Sequence, residues 1–353
     1  MESLFEKVLM VGPDHSSPRG GVAMFINNIE ILVFDGKMKS IANSCKGSKL
    51  KKVWVMLLAW IKMFFTLLFN REIKIVHINT SSNNSFWRTV YFVKLAKFFN
   101  RIVILHVHGG EFGKFYHSYV SKVRPVLDTC DGLIVLSKSW RDVFKNEIGY
   151  DKPIWVVNNV IAKPTLKESE NDGLIHILFL GFIRIEKGVF ELLEATTLIK
   201  DKLAGKAQIH ICGVGCEEKM AMLKAMISDL DIDEVVKYEG WVDGNKKIAL
   251  LNQCQIYVLP SHVEGLPVSI LEAMSYGLAI VATPVGAIPE IVKNEENGYL
   301  VAVKDVCALS NAILTLVEDA DKRYAYGEQS KRIADNYLPS QVKRQLLTIY
   351  NGF

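Results

Sequence analysis

The chain has 353 residues, of which 50% are apolar, 23% charged and 10% aromatic. That mix excludes a disordered chain, a collagen-like repeat and a disulfide scaffold, and the length predicts two domains. The net charge of +4 is uneven: residues 1–165 hold 23 Lys and Arg against 12 Asp and Glu, whereas residues 166–353 hold 19 against 26. A basic front half favours an anionic partner such as a lipid surface, a phosphate or a nucleic acid.

In chain order, strands are predicted at 7–11, 73–78, 102–107, 133–136 and 154–157, with helical patterns at 21–33, 50–69, 86–98 and 140–146 between them. The run from Trp54 to Phe69 has a single charge, Lys62, and follows Lys46, Lys49, Lys51 and Lys52. It is shorter than the roughly 20 apolar residues of a spanning helix. A core helix, a basic amphipathic helix lying in a lipid interface and a spanning helix are its three readings. A polar stretch at 162–173 reads as a linker. Beyond it the scheme repeats, with strands at 175–180, 208–212, 235–238, 256–259, 278–282 and 299–301, and helices at 189–199, 217–229, 245–253, 268–275 and 306–317. Strands alternating with helices predict parallel sheets covered on both faces, hence an α/β chain of two Rossmann-like domains with a cleft between them. The cysteines, at 45, 130, 212, 216, 254 and 307, form no CxxC pair and no zinc-like spacing with histidine. With no signal-peptide pattern, they predict reduced thiols and a cytoplasmic location.

In open α/β sheets ligands sit beyond the carboxyl ends of the strands, so the loops there should carry the chemistry. The loop after 256–259 reads PSHVEGLPVSILEAM (260–274). Pro267 suits the first position of a helix, and the free N–H groups of that turn, with the helix dipole, would seat a diphosphate. Glu264 precedes the helix and Glu272 lies about one and a half turns into it. The two carboxylates could accept hydrogen bonds from hydroxyls at either end of an extended ligand, or could be one loop acid and one unrelated helix acid. After 175–180 comes GFIRIEKG (181–188). Its Arg184 and Lys187 either face a leaving diphosphate, whose growing charge they would stabilise, or are exposed surface cations. Gly20 and Gly21 precede the first helix, where backbone can approach a phosphate or sugar closely, although a tight turn needs glycine equally. Strand 102–107 ends in HVHGGEF (106–112). His106 and His108 point to one side, with His108 nearest the carboxyl end, and Glu111 is a candidate acceptor-side group. Gly213 and Gly215 could pass beside a nucleotide or form an ordinary turn. No Asp-X-Asp pair sits at a front-half strand end, so no metal is expected; Lys187, Arg184 and helix N-termini would neutralise charge instead.

Glu264 and Glu272 in EGLPVSILEAM behind a strand ending LPS, followed by Gly277, AIVATPVGAIPEIV (279–292) and NGYLV (297–301), resemble the nucleotide-sugar site of the family-4 retaining glycosyltransferases. The likeness covers nearly all of the chain and is most specific over 264–301. It implies a GT-B fold, with an acceptor domain at 1–163 joined by a C-terminal helix at 340–353, and a nucleotide-sugar donor domain at 164–339. By position, Glu264 would contact the donor's sugar hydroxyls, Glu272 the ribose hydroxyls, and the backbone at Gly265, Leu266 and Pro267 the sugar and diphosphate. Lys187 matches the family lysine, His108 the histidine near the donor sugar, Trp241 a segment near the base, and Gly20 and Gly21 the glycine-rich loop. The family has an arginine directly after Gly181. Phe182 stands there, and Arg184 either reaches the same oxygens from a shifted position or leaves one cation missing. The resemblance implies a retaining transferase that needs no metal or other cofactor. Its donor would be a nucleotide diphosphate sugar, and its acceptor a glycan or lipid-linked saccharide in bacterial surface-polysaccharide assembly, at the inner face of the cytoplasmic membrane. A catalytically weak nucleotide-sugar-binding subunit and an epimerase of the same architecture are the alternatives; no nucleic-acid motif is present.

Overall fold

The computed structural model describes residues 2–16, 21–167 and 172–353. Gly20, with residues 17–19 of the first glycine-rich loop, lies outside the described residues, as do residues 168–171 of the expected linker. The chain divides into two units, Met1–Ala162 with Tyr337–Phe353, and Lys163–Asn336.

The first unit holds a parallel sheet of β1 (Val8–Pro13), β2 (Lys39–Ser44), β3 (Ile75–Thr80), β4 (Ile102–Val107), β5 (Gly132–Val135) and β6 (Ile154–Val156), in the order β2-β1-β3-β4-β5-β6. β3 and β4 are buried on both faces because helices cover both, and His77, Asn79 and His106 are buried with their apolar residues. On one face Val76, Ile78, Val103 and Leu105 pack against Met63 and Leu67 of helix Lys49–Phe69, Phe92 of Asn84–Phe98 and Leu127 of Val120–Thr129. On the other, Met10, Ile104 and Ile134 meet Phe25 and Ile29, and also Val342, Leu346 and Tyr350 of the C-terminal helix Pro339–Asn351.

Helix Lys49–Phe69 is not the buried core helix that was one reading of its sequence. Ala59, Met63 and Leu67, one turn apart, are its buried residues. Trp54, Leu57, Leu58, Ile61, Phe65 and Phe69 are all exposed, Trp54 by 65% and Phe69 by 79%. It is also long and apolar enough to cross a membrane by length and composition.

The second unit holds β7 (Ile175–Leu180), β8 (Ala207–Cys212), β9 (Val236–Gly240), β10 (Ile256–Leu259), β11 (Ala279–Ala282) and β12 (Gly298–Leu300), in the order β12-β11-β10-β7-β8-β9. The order reverses between the neighbours β7 and β10. Loops leaving the carboxyl ends of those two strands must part to opposite faces, which opens a crevice there.

Candidate active site

The two loops at that switch point are the ones singled out by sequence, and the fold locks them together. The Glu186 carbonyl accepts from the His262 N–H at 2.9 Å. Gly188 adopts a left-handed φ of 71°, and a Cβ there would fall 2.0 Å from the Pro260 carbonyl oxygen, so only glycine fits. A third loop, after β11, presses from the other side. Its Gly286 lies at φ 57° against the Glu264 carbonyl, the Ala287 N–H donates to the Gly265 carbonyl at 2.8 Å, and the Thr283 hydroxyl donates to the Ser261 carbonyl. The backbone bearing Glu264 and Gly265 is thus held from two directions.

Pro267 is not the first helical residue: it is the extended residue just before helix Val268–Ser275, with φ −71° and ψ 120°. Its fixed φ still sets the entry angle. The Val268, Ser269 and Ile270 N–H groups find no acceptor among the described residues. They carry the positive end of the helix dipole.

Both acids flanking this turn are paired with lysines. Glu264, 9% exposed, lies 2.5 Å from Lys187 Nζ and accepts from the Ser261 hydroxyl at 2.8 Å. Glu272 lies 2.7 Å from Lys247 Nζ. The resulting row of carboxylate, free N–H groups and carboxylate carries one cation at each acid. Lys247, on helix Gly244–Gln253, has no sequence signature beyond two lysines opening an ordinary surface helix.

Arg184 joins neither pair. It is exposed, and its guanidinium sits 4.9 Å from the Phe182 ring centroid, which lies 5.9 Å from that of Trp241. Gly213 and Gly215 pack the next loop against this one, Gly213 lying at the Gly181 carbonyl and Gly215 at the Ile183 carbonyl.

In the first unit, His108 ends a row of aromatic side chains running through the sheet. Tyr350 Oη lies 2.6 Å from His77 Nδ1, and His77 Nε2 lies 3.1 Å from His106 Nδ1. His106 stacks on His108 at 4.0 Å, and His108 Nε2 lies 2.8 Å from Asn79 Oδ1. Burial pushes His77 and His108 down to about 3, and His106 well below its ordinary value. Unfolding returns each ring to about 6.5, so the unfolded chain binds more protons. Stability is therefore full above about pH 6.5 and falls as the pH drops toward 3, by up to ~1.4 kcal/mol per pH unit for each ring. Urea denaturation should give a clearly lower midpoint at pH 5.5 than at pH 7.5. Equal midpoints would mean that these rings are not held neutral.

Gly21 opens helix Gly21–Asn28. Glu111 is exposed and paired with Lys114 at 3.3 Å. Among the described residues no group of three or more His, Cys, Asp and Glu could hold a metal ion.

Residues 164–333, nearly the whole second unit, match the family model described as glycosyl transferases group 1. This unit is a group 1 glycosyltransferase domain. An uncharacterised glycosyltransferase of Methanocaldococcus jannaschii is 26% identical over 78% of this chain and 74% of its own length. An amylovoran biosynthesis glycosyltransferase of Erwinia amylovora is 31% identical over 40% of this chain. An N,N'-diacetylbacillosaminyl-diphospho-undecaprenol alpha-1,3-N-acetylgalactosaminyltransferase of Campylobacter jejuni is 32% identical over 50% of this chain. This chain spans 36% and 44% of the length of those last two. Among solved structures, Anabaena HepE in complex with UDP superposes with a TM-score of 0.78 at 17% identity, over 98% of this chain and 100% of that one. The two parallel six-stranded sheets are those of the GT-B glycosyltransferase fold. The relatives of this glycosyltransferase domain include glycosyltransferases of polysaccharide biosynthesis.

Proposed function

We propose that the protein is a retaining glycosyltransferase that moves a sugar from a nucleoside diphosphate sugar to a hydroxyl of a lipid-linked or other glycan acceptor in surface-polysaccharide assembly. The observation that carries this reading is the row of three free N–H groups at Val268–Ile270 with a lysine-paired carboxylate on either flank. A diphosphate would accept from the N–H groups. Glu272 would accept from ribose hydroxyls and Glu264 from the transferred sugar, with Gly265, Leu266 and Pro267 lining the path between. The Phe182–Trp241 pair offers the base an aromatic wall. His108, neutral at physiological pH, can donate or accept one hydrogen bond.

In the transfer, the bond from the anomeric carbon to the diphosphate oxygen breaks and a bond to the acceptor oxygen forms on the same face. The acceptor's proton passes to the departing phosphate. Lys187 and the helix N-terminus stabilise the negative charge that grows on the leaving group, so no metal is invoked. The first unit, with its basic character and exposed apolar helix, would hold the acceptor at the cytoplasmic membrane surface. The diphospho-undecaprenol named for the Campylobacter relative supports a lipid-linked acceptor.

The donor test is thermal stabilisation by UDP, GDP and ADP. At 100 times its dissociation constant a bound nucleotide adds about 2.7 kcal/mol, a shift of several degrees. One of the three should give it, and Glu272→Ala should abolish it through lost ribose contacts. No shift with any of them would refute the donor reading.

A further inference from the structure

We infer that the first unit has its own anion site, formed by Arg88, Ser44 and Lys46, which takes the diphosphate of a lipid-linked acceptor; this rests on the lipid-linked reading above. Arg88 stands near the start of helix Asn84–Phe98, which follows β3. Its Nη2 lies 3.5 Å from the Ser44 hydroxyl at the carboxyl end of β2, and its buried Nε has no partner among the described residues. Among the described residues no carboxylate pairs with it. A guanidinium taken partly out of water without a counter-ion is unfavourable, and it is what an anion-binding position retains between ligands. Burial holds the Arg88 pKa below its ordinary value.

The surroundings make a site of it. The sheet order reverses between β1 and β3, so this too is a switch point where ligands gather. The Ser44 carbonyl accepts from the Asp14 N–H at 2.8 Å, tying β2 to the first loop. Lys46 is exposed two residues beyond Ser44. Asp14 is the acid nearby. It accepts from the Ser16 N–H and hydroxyl, which, with the charges of His15 and Lys46, hold it below the usual carboxylate range. Against the Asp14 charge stand Arg88 and Lys46.

What distinguishes the ligand from a nucleotide is the neighbouring helix. Lys49–Phe69 begins five residues after Ser44 and presents Trp54, Leu58, Ile61 and Phe65 outward. A cationic cluster at the head of an exposed apolar helix fits a diphosphate on a hydrocarbon chain, not a free anion or a neutral lipid.

The test titrates the full-length protein with geranylgeranyl diphosphate and, separately, with geranylgeraniol, followed by tryptophan fluorescence. Arg88→Gln should weaken the diphosphate at least about tenfold and leave the alcohol unchanged, with Arg88→Lys in between. Its Tm should hold or rise, because an unpaired cation is removed. Lys46→Gln, at an exposed position, gives the same reading if Arg88→Gln folds poorly. Lys187→Ala, in the donor site, should leave both titrations intact. Diphosphate affinity unaltered in Arg88→Gln and in Lys46→Gln overturns the site, as does equal loss of diphosphate and alcohol. If Arg88-dependent binding is found but no sugar is transferred to a prenyl-diphosphate-linked saccharide, the acceptor reading fails and the anion site stands.

Discussion

Replacing Lys187 by alanine is expected to lower kcat by about 10²–10³-fold, the usual loss when one fixed group facing developing charge is removed. The fold fixes where Lys187 stands. A single turn, Ile185–Lys187, ends in the left-handed Gly188, and the side chain reaches Glu264 at 2.5 Å. Ligand-free, the ammonium neutralises an almost buried carboxylate. With a donor bound, the same ammonium would share its hydrogens with the diphosphate while Glu264 turns to the sugar. The variant therefore loses charge stabilisation in the transition state and also leaves Glu264 uncompensated. Donor KM should rise by less than kcat falls, and a modest drop in Tm should accompany it. Arg184→Ala provides the contrast. Its guanidinium lies on the Phe182 ring, not at either acid, so its loss should change kcat by less than about tenfold, as for an exposed cation–π contact. Wild-type turnover in Lys187→Ala would remove it from the mechanism, and an Arg184 effect as large as that of Lys187 would make Arg184 the leaving-group cation instead.

The contrast between those two residues marks how far the sequence is legible. The strands of the second unit stand out because continuous apolar runs such as Ile256–Leu259 end at breakers such as Pro260 and Ser261, and the loop motif follows directly. The partner of each glutamate does not stand out. Lys187 lies 77 residues from Glu264, and Lys247 lies 25 from Glu272, so only the packing of loops from different strands brings them together. In the first unit β2 escapes notice because Lys39–Ser44 is mostly polar, as suits a sheet edge, and helix Val120–Thr129 because Pro125 interrupts its pattern. Helix Ala320–Ala334 is too polar to show an apolar stripe. Arg88 reads as an ordinary helical arginine; what sets it apart is the lack of a counter-ion, a tertiary property. Helix Lys49–Phe69 is a different case. Its composition allows three readings, and the exposure of its apolar residues removes one of them.

That exposed face leads to the second large effect, on membrane binding. Charging it through Trp54→Glu, Leu58→Glu and Phe65→Glu together should abolish flotation with anionic vesicles at every salt concentration. The three side chains are 65%, 58% and 51% exposed and recur at helical spacing on the side away from Ala59, Met63 and Leu67. Each would bury apolar area in the lipid interface worth about 1.5–3 kcal/mol, and none supports the core, so Tm should be unchanged. The lysines opening the helix act differently. Lys49→Gln, Lys51→Gln and Lys52→Gln together remove about 1 kcal/mol each of attraction to an anionic leaflet. Binding should weaken roughly 10²-fold at low salt, and the difference should vanish near 1 M salt, where charges are screened within about 3 Å. Apolar insertion resists salt and charge attraction does not, so the two variants separate the contributions in one assay. Turnover on a water-soluble acceptor should be the same for both variants and the wild type. If the triple glutamate variant still floats with vesicles, the exposed face of Lys49–Phe69 is not the membrane contact.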